Sequence, residues 1–160
     1  MAAEKPTNYF RVAYDPTRKP PHQLILSQEL LDEIIAHLRR SLPNEGCGLL
    51  AIDEAGIATR FYPGENLDQS PVRFTMDPAT VIAAFKAMDA DGYMLGAIVH
   101  SHPRTPATPS RTDLREAQYP SALMRIGSFG SDPPLFRLGA VGLLPDGGSD
   151  NAGERALIIA

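Results

Sequence analysis

His100 and His102 are separated by one residue in "HSHP" (100–103), at the end of an apolar run. Two residues spaced this way on a strand project from the same face, with Cα atoms roughly 6–7 Å apart. That separation lets both imidazoles converge on one ion at about 2.0–2.1 Å per bond. Ser101 between them would face the opposite side. A chain of 160 residues with four histidines holds such a pair by chance roughly one time in ten, so the pair alone is a weak signal. Seven residues, 103–109, separate His102 from Ser110-Arg111-Thr112-Asp113. Taken alone, this is the spacing of a capping box at a helix start. Its second reading depends on the proline-rich "PRTPATP" (103–109), which must be a loop and returns the chain beside the strand end. Asp113 then completes a site of two histidines and one carboxylate. Three protein ligands with water in fourth place is the composition of a catalytic zinc site, whereas a structural site is closed by a fourth protein ligand.

Such a site needs a base to take a proton from water. Glu45, in "PNEGCGLL", follows a helix and precedes a strand. The glycines after it, Gly46 and Gly48, allow close backbone approach. Position alone does not separate Glu45 from Glu29, Glu33, Glu54 or Glu65.

The elements that must hold these residues follow from the apolar pattern. Residues 1–22 are polar and proline-rich, expected as a loose leader with one short strand at 9–14. "LIL" (24–26) reads as a brief strand. Ser27 starts a helix whose apolar stripe is Leu30, Leu31, Ile34, Ile35 and Leu38, ended by Pro43. "CGLLAI" (47–52) and "ATRFYP" (58–63) read as strands joined through "DEAG" as a hairpin. Asp77-Pro78 opens a second helix with Val81, Ile82, Phe85 and Met88 on its buried side, closed by "DADG" (89–92). "LGAIVHSH" (95–102) starts as the continuous apolar run of a central strand. "SRTDLREAQ" is a short third helix stopped by Pro120, and segments 122–129, 135–144 and 156–160 supply further strands. Helices and strands interleave with hairpins among them, which predicts a single mixed α/β domain over 23–160 rather than a doubly wound one.

Composition bounds the function. Net charge is −4, and no basic cluster exceeds Arg39-Arg40, so neither nucleic acid nor an anionic membrane is an expected partner. No stretch approaches the ~20 apolar residues of a membrane helix. Lys5, Pro6, Arg11, Asp15 and Pro16 stand where a signal peptide needs an apolar run. The single cysteine, Cys47, excludes an internal disulfide framework and fits a reducing cytoplasm, the expected location. Cys47 reads as a small core residue rather than a catalytic thiol. His22 and His37 read as surface residues.

The combination "EGCGLL", "HSHP" and "PSRTD" resembles the JAMM (MPN-plus) metalloproteases, and the chain matches their spacing at His100, His102, Ser110 and Asp113. Asn66, Pro71-Val72-Arg73-Phe74 and Asp77-Pro78 are similar to the family's middle section, so the resemblance covers about residues 24–145. It implies an MPN-like domain with a curved mixed central sheet flanked by helices, related to the cytidine deaminase fold. It further implies one zinc ion per chain on His100, His102 and Asp113, Glu45 as general base, and Ser110 as oxyanion stabiliser alongside any capping role. Glu45 to His100 spans 55 residues and His102 to Asp113 only 11, which leaves no room for the large ubiquitin-docking insertions of some members. This compact form is similar to the prokaryotic branch. That branch implies a small β-grasp, ubiquitin-like sulfur-carrier protein ending in Gly-Gly as substrate, with release of a residue such as cysteine. The leader 1–22 and "GSFGSDPP" (127–134) depart from the pattern and bear on partner contacts; oligomeric state is left open.

Three rival readings are weighed against the peptidase. A non-catalytic MPN scaffold for protein assembly typically loses metal ligands, and all are kept here. A nucleoside deaminase needs H-x-E and P-C-x-x-C, which a chain with one cysteine lacks. A cupin-like site would need later histidines, and none follows His102.

Overall fold

The structure, a computed structural model, describes residues 13–15, 17–116, 122–143 and 149–160. β1 (Gln23–Leu26) leads into α1 (Gln28–Ser41), where the Ser27 hydroxyl accepts a hydrogen bond from the Leu30 amide at 3.1 Å. β2 (Cys47–Ile52) and β3 (Ala58–Gly64) form the expected antiparallel hairpin. Its turn is held by Asp53, whose carboxylate accepts from the Ala55 and Ile57 amides at 2.9 and 3.0 Å. α2 (Pro78–Asp91) has Asp77 as its cap and ends at Gly92 in the left-handed conformation that glycine tolerates best. β4 (Met94–His102), α3 (Arg111–Glu116), β5 (Leu123–Ser128), β6 (Leu135–Leu143) and β7 (Ser149–Ile159) complete the order.

These strands form one mixed sheet, ordered β1-β7-β6-β5-β4-β2-β3, with β4 in the interior. The pairs β1/β7 and β4/β5 are parallel and the others antiparallel. The sheet curls until its two edges touch: the Ile25 amide donates to the Gly56 carbonyl at 3.2 Å, and Ile25 bridges Ile57. α1 covers one face through Ile34 and Leu38, packed on Leu50, Phe61, Ala97, Val99 and Leu123. α2 covers the other face with Ala84, Phe85 and Met88 on Leu49, Ala51 and Leu95. On that second face Leu114 of α3 packs against Ala107, Met124 and Ile126. A curled mixed sheet with helices on both sides is the architecture expected from the sequence.

Four local expectations need correction. In α2 the inward residues are Val81, Ala84, Phe85 and Met88, while Ile82 is 49% exposed. Spacing of three and four along the helix selects that set, and Ile82 lies one position off the stripe. β7 begins at Ser149 rather than 156, because backbone pairing with β6 recruits the polar "SDNAGER" stretch. His37 is half-buried, with Nε2 at 2.9 Å from the Cys47 carbonyl and its ring tilted against Phe61; His22 is exposed as expected. At Ala13 the expected loose leader is anchored. Its amide donates to Asp89 at 2.8 Å, and its carbonyl accepts from the Leu95 amide at 2.7 Å. Most of the strand expected at 9–14, and the helix stop at Pro120, lie outside the described residues.

Gly48 shows why β2 carries a glycine. A Cβ there would sit 2.5 Å from two ring carbons of Phe61 and 2.7 Å from the Tyr62 carbonyl oxygen. Overpacking a filled core typically costs about 1–3 kcal/mol. Gly48→Ala is therefore expected to lower the unfolding free energy by about 1–3 kcal/mol in a urea titration of the metal-free protein. An unchanged midpoint would mean that Phe61 yields without cost.

Candidate metal centre and its neighbouring carboxylate

β4 runs between β2 and β5, with His100 opposite Cys47 on one side and Ile126 on the other. Its even-numbered residues His100 and His102 face the α2 and α3 side, as strand alternation requires, and Ser101 faces the α1 side. Beyond the last ladder pair, Ser101 extends the pairing: its amide donates to the Gly46 carbonyl at 3.0 Å, and the Gly46 amide donates to its Oγ at 2.8 Å. Glu45 is thereby set across from His102, with Oε1 at 3.9 Å from Nε2. Gly46 permits the approach to α1, since a Cβ there would meet Ser41 Oγ at 2.8 Å and Leu38 Cδ2 at 2.9 Å.

Asp113 comes to the same point from α3. Its Oδ2 lies 3.2 Å from His100 Nε2 and 3.0 Å from His102 Nε2, and one donor atom from each residue falls within 4.8 Å of the others. All three side chains are buried, as is Glu45. His102 Nδ1 is 2.7 Å from the Pro106 carbonyl, so a neutral ring donates there and turns the Nε2 lone pair inward. The His100 ring stacks on Phe74 with centroids 4.7 Å apart, and neither of its nitrogens has a hydrogen-bond partner. A buried nitrogen left without a partner costs about 1–3 kcal/mol, and coordination would satisfy it. Two imidazoles and a carboxylate are a donor set that zinc accepts. The residues present fit a bound cation.

Ser110 performs the capping half of its two readings. The Asp113 amide donates to its Oγ at 3.0 Å, while the Ser110 amide donates to Asp113 Oδ2 at 2.9 Å. That reciprocal pair fixes the carboxylate that faces the histidines. Cys47 is buried, and burial, reinforced by the charges of Glu45 and Glu65, pushes its thiol up to about 12. A thiol so reluctant to ionise is no nucleophile.

The two carboxylates are driven in opposite directions. Burial raises Asp113, but the His100 and His102 ring nitrogens facing its carboxylate, the charge of His100 and the Ser110 amide outweigh it and hold the group well below the usual range. Burial, with the charge of Asp113, pushes Glu45 from 4.5 up to about 8 against the smaller pull of His102. Burial lowers His102, and the Asp113 and Pro106 contacts more than reverse that. For Glu45 in the metal-free protein, the folded pKa exceeds the unfolded one. Its neutral form contributes stability fully below the unfolded value, and that contribution is lost as pH rises through about 8. Glu45→Gln removes this loss. Without metal, the variant should melt above wild type at pH 9, with the gap narrowing at pH 5. A gap that stays constant or grows toward acid would contradict the assignment.

All five residues singled out by sequence meet here. Three contributors were missed. Ser101 was read only as facing away, Phe74 was quoted without a role, and the Pro106 carbonyl left no side-chain signal. A serine between two candidate ligands, paired in register with the glycine beside the candidate base, was the available clue.

The chain is similar to several known proteins. Residues 27–138 match the family described as prokaryotic homologs of the JAB domain. A probable TtuB-protein conjugate cleaving protease of Thermus thermophilus is 41% identical over 61% of this chain and 67% of its own. A CysO-cysteine peptidase of Mycobacterium tuberculosis is 35% identical over 62% and 68%, and the desampylase of Haloferax volcanii 31% identical over 66% and 81%. The solution structure of a Desulfitobacterium hafniense protein superposes with a TM-score of 0.73 at 37% identity, covering 86% of this chain and 92% of that one. The chain belongs to the prokaryotic branch of the JAB domain family, the compact JAMM type that its sequence resembles.

Proposed function

We propose that this chain is a zinc-dependent metallopeptidase that hydrolyses the bond after the Gly-Gly terminus of a small β-grasp, ubiquitin-like sulfur-carrier protein. The observation that carries the reading is the convergence of Glu45 on the His100, His102 and Asp113 cluster inside a buried site. In this reading those three residues hold one zinc ion. Bound there, the metal supplies Lewis acidity toward a scissile carbonyl and lowers the pKa of water.

The chain's own groups do the rest. Glu45 accepts the proton of the attacking water on a carboxylate oxygen and returns it to the leaving amine. The Ser110 hydroxyl oxygen accepts from the Asp113 amide, which leaves its own proton to donate to the oxyanion that develops on the substrate. Pro106 holds the His102 ring, and Phe74 packs the His100 ring, so neither has to be ordered during turnover. A Gly-Gly approach suits the site because a chain without side chains can lie close to the buried cluster. The folded carrier body supplies binding away from the reacting bond. Three of the similar proteins carry names that point to conjugates of TtuB, to CysO-cysteine and to desampylation. We place the activity in the cytoplasm on the strength of the lone buried thiol, Cys47. Among the described residues no helix is long and apolar enough to cross a membrane. A purely structural scaffold would have no need of Glu45 beside an intact donor set.

Carrier fusions with Gly-Gly-X and Ala-Ala-X junctions, followed by mass spectrometry, test the proposal. The zinc-loaded protein is expected to cleave the first and spare the second. Glu45→Gln, whose amide cannot take up the proton, is expected to keep its zinc and lose about 10²–10⁴-fold in turnover. Equal cleavage of both junctions would contradict the carrier reading, and wild-type turnover by Glu45→Gln would contradict the base.

A further inference from the structure

Asn66 lies outside the metal cluster, yet its side chain spends one hydrogen bond on the Glu45 backbone and three on the backbone of residues 68–75. Nδ2 donates to the Glu45 carbonyl at 3.0 Å and to the Arg73 carbonyl at 2.9 Å. Oδ1 accepts from the Asp68 amide at 3.0 Å and the Thr75 amide at 3.1 Å. Two donors and two acceptor sites are the full capacity of an asparagine amide, and the two carbonyls on one side with two amides on the other fix which atom is nitrogen.

The segment it organises meets the site twice. The Glu45 amide donates to the Ser70 carbonyl at 2.8 Å, and Phe74 stacks on His100. The segment is also braced within itself: Thr75 donates to Asp68 at 2.6 Å, and Arg73 pairs with Asp68 at 3.6 Å. Glu45 is thus gripped from two sides. Ser101 fixes Gly46 to the ligand strand, and Asn66 with Ser70 fixes Glu45 itself to residues 66–75. Only Asn66 links that brace to the Glu45 carbonyl by a side chain, among the described residues.

We propose that Asn66 is a positioning residue that sets where the Glu45 carboxylate stands relative to the metal cluster. The inference rests on Glu45 as the base. A misplacement of about 1 Å at a reacting group costs about 10²-fold in rate, and no other residue type reproduces two donors and two acceptors at this length. Asn66→Asp is the sharp variant: it keeps shape and both acceptor bonds but turns an oxygen toward the Glu45 and Arg73 carbonyls. Asp68→Ala is the control, because it loosens the same loop without touching Glu45.

The experiment reads three quantities on zinc-loaded and metal-free protein. Asn66→Asp is expected to retain zinc and lower kcat by about 10²-fold with little change in KM, whereas Asp68→Ala stays near wild type. In the metal-free protein, hydrogen exchange at the Glu45 amide is expected to quicken tenfold or more, a threshold we set, in Asn66→Asp alone. In a Glu45→Gln background, Asn66→Asp is expected to add no further loss, since groups acting through one another are non-additive. Equal behaviour of the two loop variants in exchange and kcat would overturn the proposal. So would an additive loss in the Glu45→Gln background or a change confined to KM. If Glu45→Gln itself kept wild-type turnover, the base reading would fail, and the exchange measurement would still decide whether Asn66 holds Glu45.

Discussion

Ser101 turns its side chain away from the metal side of β4 and binds Gly46 through both its amide and its hydroxyl, at 3.0 and 2.8 Å. These two bonds carry the antiparallel pairing of β2 and β4 one residue past the end of the ladder. They place Glu45 across from His102. The geometry of the site is therefore sheet geometry. His100 and His102 share a face because they alternate with Ser101. Asp113 reaches them because 103–109 folds back and a capping box fixes the first turn of α3.

Concentrating two imidazoles and two carboxylates in a buried space is costly, and the chain resolves the conflict by treating the acids differently. Asp113 is surrounded by donors and held ionised. Glu45 has one carboxylate oxygen near His102 and the other, Oε2, without a hydrogen-bond partner. Burial raises it toward neutral pH. Two carboxylates pushed apart in this way suit the separate tasks proposed for them, one as a fixed ligand and one as a proton carrier. The fully bonded Asn66 and the Phe74 stack complete a wall that keeps these groups in place.

Much of this was legible in the sequence, for reasons that differ from residue to residue. The period-two spacing of His100 and His102 and the Ser27, Asp77 and Ser110 caps are local signals, and each forms as expected. Glu45 was not distinguishable by position from other glutamates; the motif resemblance singled it out, and the structure puts it near His102. Ile82 was misplaced because a continuous apolar run does not tell which stripe faces the sheet. β7 was read short because its first half owes its strand to pairing with β6 rather than to its own side chains. Asn66 was quoted only for the resemblance and Ser101 only as facing away, because the bonds that tie them to Glu45 and Gly46 join backbone distant in sequence.

The central claim is that the cluster holds zinc through two histidines and one aspartate, with no sulfur. X-ray absorption at the zinc edge of the loaded protein measures this directly. The account predicts a shell of nitrogen and oxygen atoms at about 2.0–2.2 Å, with two imidazoles in the outer scattering. A sulfur shell at about 2.3 Å, which would bring Cys47 into the coordination sphere, would contradict it.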